Sequence, residues 1–84
     1  MELSFHADEI LRLAEEVIRF EGDSHQLQEM KMEMYYVKGR FDIAIGEYET
    51  GLANIKASES LAETLNDNKA RLNNYKQMIF YGIQ

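Results

Sequence analysis

Apolar residues recur along this chain at intervals of three and four, the period of an amphipathic helix. Ile10, Leu13, Ala14, Val17, Ile18 and Phe20 form the first run. Asp8 and Glu9 stand in its first turn, where carboxylates favour the helix dipole. Glu21-Gly22-Asp23-Ser24 reads as a stop and a restart, with Gly22 suited to a left-handed cap and Asp23 or Ser24 to the next N-cap. A second helix over about 24–38 carries Leu27, Met30, Met34 and Val37 on one face, and Met32 and Tyr36 on the opposite one. Two stripes on one helix mean neighbours on both sides, or a neighbour on one side and a partner on the other.

Lys38-Gly39-Arg40 reads as a turn, with glycine for a left-handed residue and cations at a helix C-terminus. A third helix over 41–56 turns Phe41, Ala44, Ile45, Tyr48, Leu52 and Ile55 inward. Ala57-Ser58-Glu59-Ser60 marks the next boundary, and Ser60 with Glu63 has capping-box spacing. The fourth helix, over 59–81, points Leu61, Leu65, Leu72, Tyr75 and Ile79 inward. The chain has no proline, so nothing forbids helix outright. The expectation is all-α, with three to four antiparallel helices over about 6–20, 24–38, 41–56 and 59–81. An alternative is one long two-helix hairpin turning at Gly39. In it a heptad seam of Ile10, Leu13, Val17, Phe20, Ser24, Leu27, Lys31 and Met34 runs through Gly22.

The 84 residues fit one small domain, and 45% hydrophobic content is too much for a disordered acidic chain. The formal charge of −6 resides entirely in residues 1–33, which carry nine acids and three bases. Beyond Asp67 only bases remain: Lys69, Arg71 and Lys76. An acidic front argues against nucleic acid as a ligand, since phosphate backbones need basic patches. The apolar runs are too short for a membrane span, and no leader pattern is evident, which makes a cytoplasmic protein the expectation.

The inventory of chemistry is thin. With no cysteine, thiol catalysis and Cys-type zinc sites are excluded. His6 with Glu9, and His25 with Glu29, stand one turn apart, as half a metal site or as ordinary surface contacts. No phosphate-binding, nucleophile-elbow or zinc-protease motif is present. The expectation is therefore no catalytic residues, no metal and no cofactor. Met78-Ile79-Phe80-Tyr81-Gly82-Ile83 cannot all face one side of a helix. The candidate partner-binding residues are Met32, Tyr36, Phe80, Tyr81 and Ile83.

Tyr35, Gly39, Phe41, Ala44 and Tyr48 resemble the middle of a tetratricopeptide repeat, with Gly39 in a Gly-x-aromatic turn and Gly51 at the following small position. Gln28 stands where that family has tryptophan, and Lys56 stands where it has proline. Over 24–81 the chain is also similar to microtubule-interacting-and-trafficking domains, three-helix bundles that dock a partner helix. Its length, helix content and opening segment Leu3–Ile10 resemble the W-x-G hairpin proteins of type VII secretion, although Val37-Lys38-Gly39 lacks the tryptophan. The first two resemblances imply a protein-interaction module (an adaptor, a small chaperone or an inhibitor), and the third a homo- or heterodimer.

Overall fold

The computed structural model describes residues 2–22 and 24–81. They form four antiparallel helices: α1 Glu2–Glu21, α2 His25–Ala44, α3 Tyr48–Thr64 and α4 Asn68–Phe80. The all-α expectation holds, and two of the three inter-helix boundaries move.

The first break stands where the sequence placed it. Gly22 adopts φ +88° and donates its N–H to the Ile18 carbonyl at 2.8 Å. Ser24 then caps α2 by accepting the Leu27 N–H at 3.2 Å. This break excludes a single helix over 6–38, and with it the long hairpin.

The expected turn at Gly39 does not form. α2 runs through Lys38-Gly39-Arg40, and the chain reverses instead at Ile45-Gly46-Glu47. There Gly46 takes φ +91°, its N–H reaches the Ile43 carbonyl, and the Glu47 N–H reaches the Asp42 carbonyl at 2.8 Å. That pair of bonds is a Schellman closure. The boundary expected at 57–60 is displaced in the same way. Ser58 and Ser60 lie inside α3, which closes at Leu65-Asn66-Asp67 with Asn66 at φ 59°. Asp67 N–H bonds the Ala62 carbonyl and Asn66 N–H the Glu63 carbonyl, the same closure with asparagine in the glycine's place. The Asp67 carboxylate then caps α4 through the Ala70 N–H at 3.1 Å.

Gly39 and Gly51 serve contact rather than turning. A Cβ on Gly39 would lie 2.8 Å from the Gly51 carbonyl oxygen and 2.7 Å from Ile55 Cδ1. A Cβ on Gly51 would lie 2.8 Å from the Gly39 carbonyl oxygen and 2.7 Å from Ile43 Cγ1. The two backbones of α2 and α3 touch at this point, and only glycine permits it. Ile43 and Ile55 flank the crossing, and Met32 and Ala62 are buried further along the two helices. Full burial of Ile55 contributes on the order of 1.5–3 kcal/mol. Two polar bonds fix the register of α2 on α3. Ser58 donates to the Met32 carbonyl at 2.9 Å, and Asn54 donates to the Asp42 carboxylate at 3.1 Å.

Each helix packs on its neighbours in sequence, α1 on α2, α2 on α3 and α3 on α4. The result is a slab of 38 × 30 × 16 Å rather than a closed four-helix bundle. Ala14 of α1 is buried, and Lys31 and Lys38 of α2 reach Glu15 and Asp8 across that seam. Several residues expected inside are therefore outside. Ile45 and Tyr48 are exposed, and Leu72 and Ile79 are 69% and 77% exposed. The turn at Asn66 explains the last pair. It resets the helical phase, so Leu72 and Ile79 do not continue the stripe of Leu61 and Leu65.

Candidate functional site: the groove between α2 and α4

Because α2 and α4 flank α3 in the slab, the space between them above α3 is open. It forms a groove of about 380 Å³. Met34, Tyr36 and Val37 make the α2 wall, and Lys69, Ala70 and Asn73 the α4 wall. Met32, Ser58 and Asn74 line its base, and Glu33 and Asp67 bring two carboxylates.

Each lining group has a local cause. The α2 side chains arrive because Gly39 lets α2 lie close on α3, which buries Met32 and leaves Tyr36 half-covered beside it. The Arg40 guanidinium lies 5.8 Å from the Tyr36 ring centroid, one helical turn on, and holds the ring by a cation–π contact. On α4 the Asp67 cap sets the phase. Ala70 and Asn74, three and seven residues on, fall on the α3-facing side.

Asn74 is the unusual member. It is 0% exposed, and its Oδ1 has no hydrogen-bond partner. Its Nδ2 donates to Glu59 Oε1 at 3.4 Å. Glu59 also receives the Arg71 guanidinium at 2.8 Å. A carboxylate at that place fixes the orientation of the amide, since turning it over would set oxygen against oxygen. Arg71 is held in turn by the Tyr75 hydroxyl at 2.8 Å. The hydrogen bond to Glu59, then the one to Tyr75, raise the Arg71 guanidinium above its ordinary pKa. A buried acceptor without a donor costs on the order of 1–3 kcal/mol, so the groove base carries an unfilled acceptor beside a braced ionic cluster.

Of the residues singled out from the sequence, Met32 and Tyr36 meet in this groove. Met32 does so as a buried base residue, not as part of a free outer stripe. Phe80 and Tyr81 stand apart at the end of α4. Phe80 is exposed, and Tyr81 stacks on Tyr48 with centroids 6.4 Å apart. Ile83 lies outside the described residues. Sequence reasoning missed Ser58, Ala70, Asn73 and Asn74, none of which belongs to an apolar stripe. The legible signal was the Asp67-x-x-Ala70 cap, which would have placed Asn74 one turn beyond Ala70 on the covered side.

Elsewhere, two groups of charges pair within a single helix. Arg12 binds Glu9 at 2.7 Å and Glu16 at 3.2 Å, and its hydrogen bond and charge lower the Glu9 carboxyl below its ordinary pKa. His25 lies 3.7 Å from Glu29 on the surface. Among the described residues no three His, Cys, Asp or Glu side chains gather where they would hold a metal. Among them, too, no helix is long and apolar enough to cross a membrane. No family model, curated protein or solved structure matches this chain.

Proposed function

We propose that this chain is a protein-interaction module that takes a peptide segment of a partner protein into the groove between α2 and α4. The observation that carries this reading is the groove itself, with an apolar α2 wall of Met34, Tyr36 and Val37, a polar α4 wall, and the unpaired acceptor of the fully buried Asn74 at its base. A peptide segment matches the lining, with apolar side chains for Met34, Tyr36 and Val37 and polar groups for Lys69 and Asp67, and its backbone N–H reaches the covered Asn74 Oδ1 only as the base of the groove shifts on binding. The role is binding, of the adaptor, small-chaperone or inhibitor kind.

The repeat resemblance places Gly39 in the turn between two helices, whereas Gly39 lies inside α2 and the chain reverses at Gly46, so the reading rests on the groove rather than on that resemblance.

The test is selection of peptides from a random display library on the wild-type chain and on Asn74→Leu. Leucine keeps the branched shape of asparagine and removes the orphaned acceptor together with the Nδ2 donor to Glu59. The folded variant is expected to lose the selected peptides. Amide shifts on peptide binding should map to Tyr36, Val37, Ala70 and Asn73. Peptides that bind Asn74→Leu equally well, or whose shifts map outside the groove, would refute the proposal.

A further inference from the structure

We infer that copies of this chain stack head to tail, the outer face of α4 on one copy packing antiparallel against the outer face of α1 on the next. The inference does not depend on the groove: its apolar contacts lie on the opposite face of α4, and only Lys69, at the groove's edge, is common to both. At roughly 100° per residue, Leu72, Lys76 and Ile79 lie on the side of α4 away from Asn74 and α3. Leu72, Ile79 and Phe80 are 69%, 77% and 70% exposed, an apolar face unlike the polar one expected of a terminal repeat.

Charge selects the occupant. α4 contains Lys69, Arg71 and Lys76 and no acid, whereas α1 contains six acids and two bases. Among the described residues Lys69 and Lys76 make no ion pair. A symmetric α4–α4 contact would bring these lysines together, while an α4–α1 contact sets them against carboxylates. The residue spacing agrees. Glu9, Leu13 and Glu16 on α1 are separated by four and then three residues. Read backwards, Lys76, Leu72 and Lys69 on α4 have the same intervals. In one antiparallel register Lys76 meets Glu9, Leu72 meets the 46%-exposed Leu13, and Lys69 meets Glu16. Arg12 bridges Glu9 and Glu16 in the single chain and leaves α1 acidic overall. Neighbouring helices within the chain are antiparallel, so an α4–α1 contact continues the stacking of the slab. Such a heterologous contact does not close on itself, and it builds open chains rather than a dimer.

Sedimentation velocity and light scattering of the 84-residue chain over a concentration series test this. The weight-average mass should rise past that of a dimer, and fall back as salt shortens the screening length from about 10 Å at 0.1 M to about 3 Å at 1 M. Leu72→Glu with Lys76→Glu blocks one end, and Leu13→Lys with Glu16→Lys blocks the other. Each folded variant should be monomeric alone, and an equimolar mixture should give a one-to-one complex and nothing larger. If a double variant does not fold, the single reversals Lys76→Glu and Glu9→Lys replace it: each weakens self-association, and the two together in one chain restore it. A wild-type chain that stays monomeric throughout overturns the inference. So does a mass that stops at a dimer which only the α4 variant abolishes, as does a mixture that forms no complex.

Discussion

Substituting Gly39 by alanine sets two effects of opposite sign against each other. In an exposed helix the change would stabilise by about 1 kcal/mol, because alanine restricts the unfolded chain and favours helix. At Gly39 the new Cβ would lie 2.8 Å from the Gly51 carbonyl oxygen, and 2.7 and 2.8 Å from two atoms of Ile55. A carbonyl in the middle of α3 cannot step aside alone, so the helices must separate by about half an ångström to restore ordinary contact. A gap of that size forfeits about a quarter or more of the dispersion energy of each facing pair. Those pairs include Ile55 and Ile43, both in the core. Overpacking of this kind costs about 1–3 kcal/mol. After the propensity gain the net loss is up to about 2 kcal/mol, and Tm should fall by up to about 15 °C for a domain of this size. Thermal and urea melts followed by far-UV circular dichroism give the answer. The pair Gly39→Ala with Gly51→Ala should lose less than the sum of the singles, because one separation accommodates both methyl groups. If Gly39→Ala raises Tm instead, the backbones of α2 and α3 do not touch there, and the packing argument fails with the contact.

Three further outcomes follow from the same geometry. Gly46 has open space around it, so alanine there meets no neighbour; the strain of φ +91° alone should cost about 1–2 kcal/mol in a urea melt. Asparagine should cost less, as Asn66 already holds the equivalent place. Ser58→Ala removes the buried bond to the Met32 carbonyl and should lower stability by about 1 kcal/mol, read from the urea midpoint at unchanged m-value. Arg12 lowers the Glu9 pKa, so the stability this pair contributes is complete above the unfolded value of about 4.3. It is lost as pH falls through the lower folded value. Carboxyl-carbon NMR titration should return Glu9 to its ordinary pKa in Arg12→Gln, and an unmoved titration would remove Arg12 as the cause.

Periodicity and capping carry the fold class and the first break into the sequence. Gly22 followed by Ser24 is a local signal read by local bonds, and both act as expected. Gly39 defeats the same logic, because glycine serves two physical purposes: a left-handed turn, and the absence of a side chain at a helix contact. Nothing local separates them. The distinction depends on Gly51, twelve residues away, and becomes visible only when the two small positions are read as a pair. Asn66 escaped notice for the opposite reason, since asparagine at a left-handed position carries no glycine to mark it. Half of the proposed groove was legible, in Met32 and Tyr36. The other half depended on the phase of α4, which a missed three-residue turn had rotated.

That missed turn also ties the groove to the surface behind it. Once the closure at Asn66 and the Asp67 cap set the phase of α4, Ala70 and Asn74 must face α3, and Leu72 and Ile79 must face away. A helix with leucine and isoleucine outward and asparagine inward reverses the usual amphipathic order. The reversal has a physical rationale if both faces of α4 are working surfaces. Inside, the Glu59–Arg71–Tyr75 cluster braces an amide whose carbonyl has no donor. Outside, an exposed apolar stripe lies among lysines. Asn74→Leu and Leu72→Glu therefore probe opposite sides of one helix. The first should affect peptide capture and leave self-association intact, and the second should do the reverse. Loss of both properties in either variant would mean that α4 acts only as a structural strut.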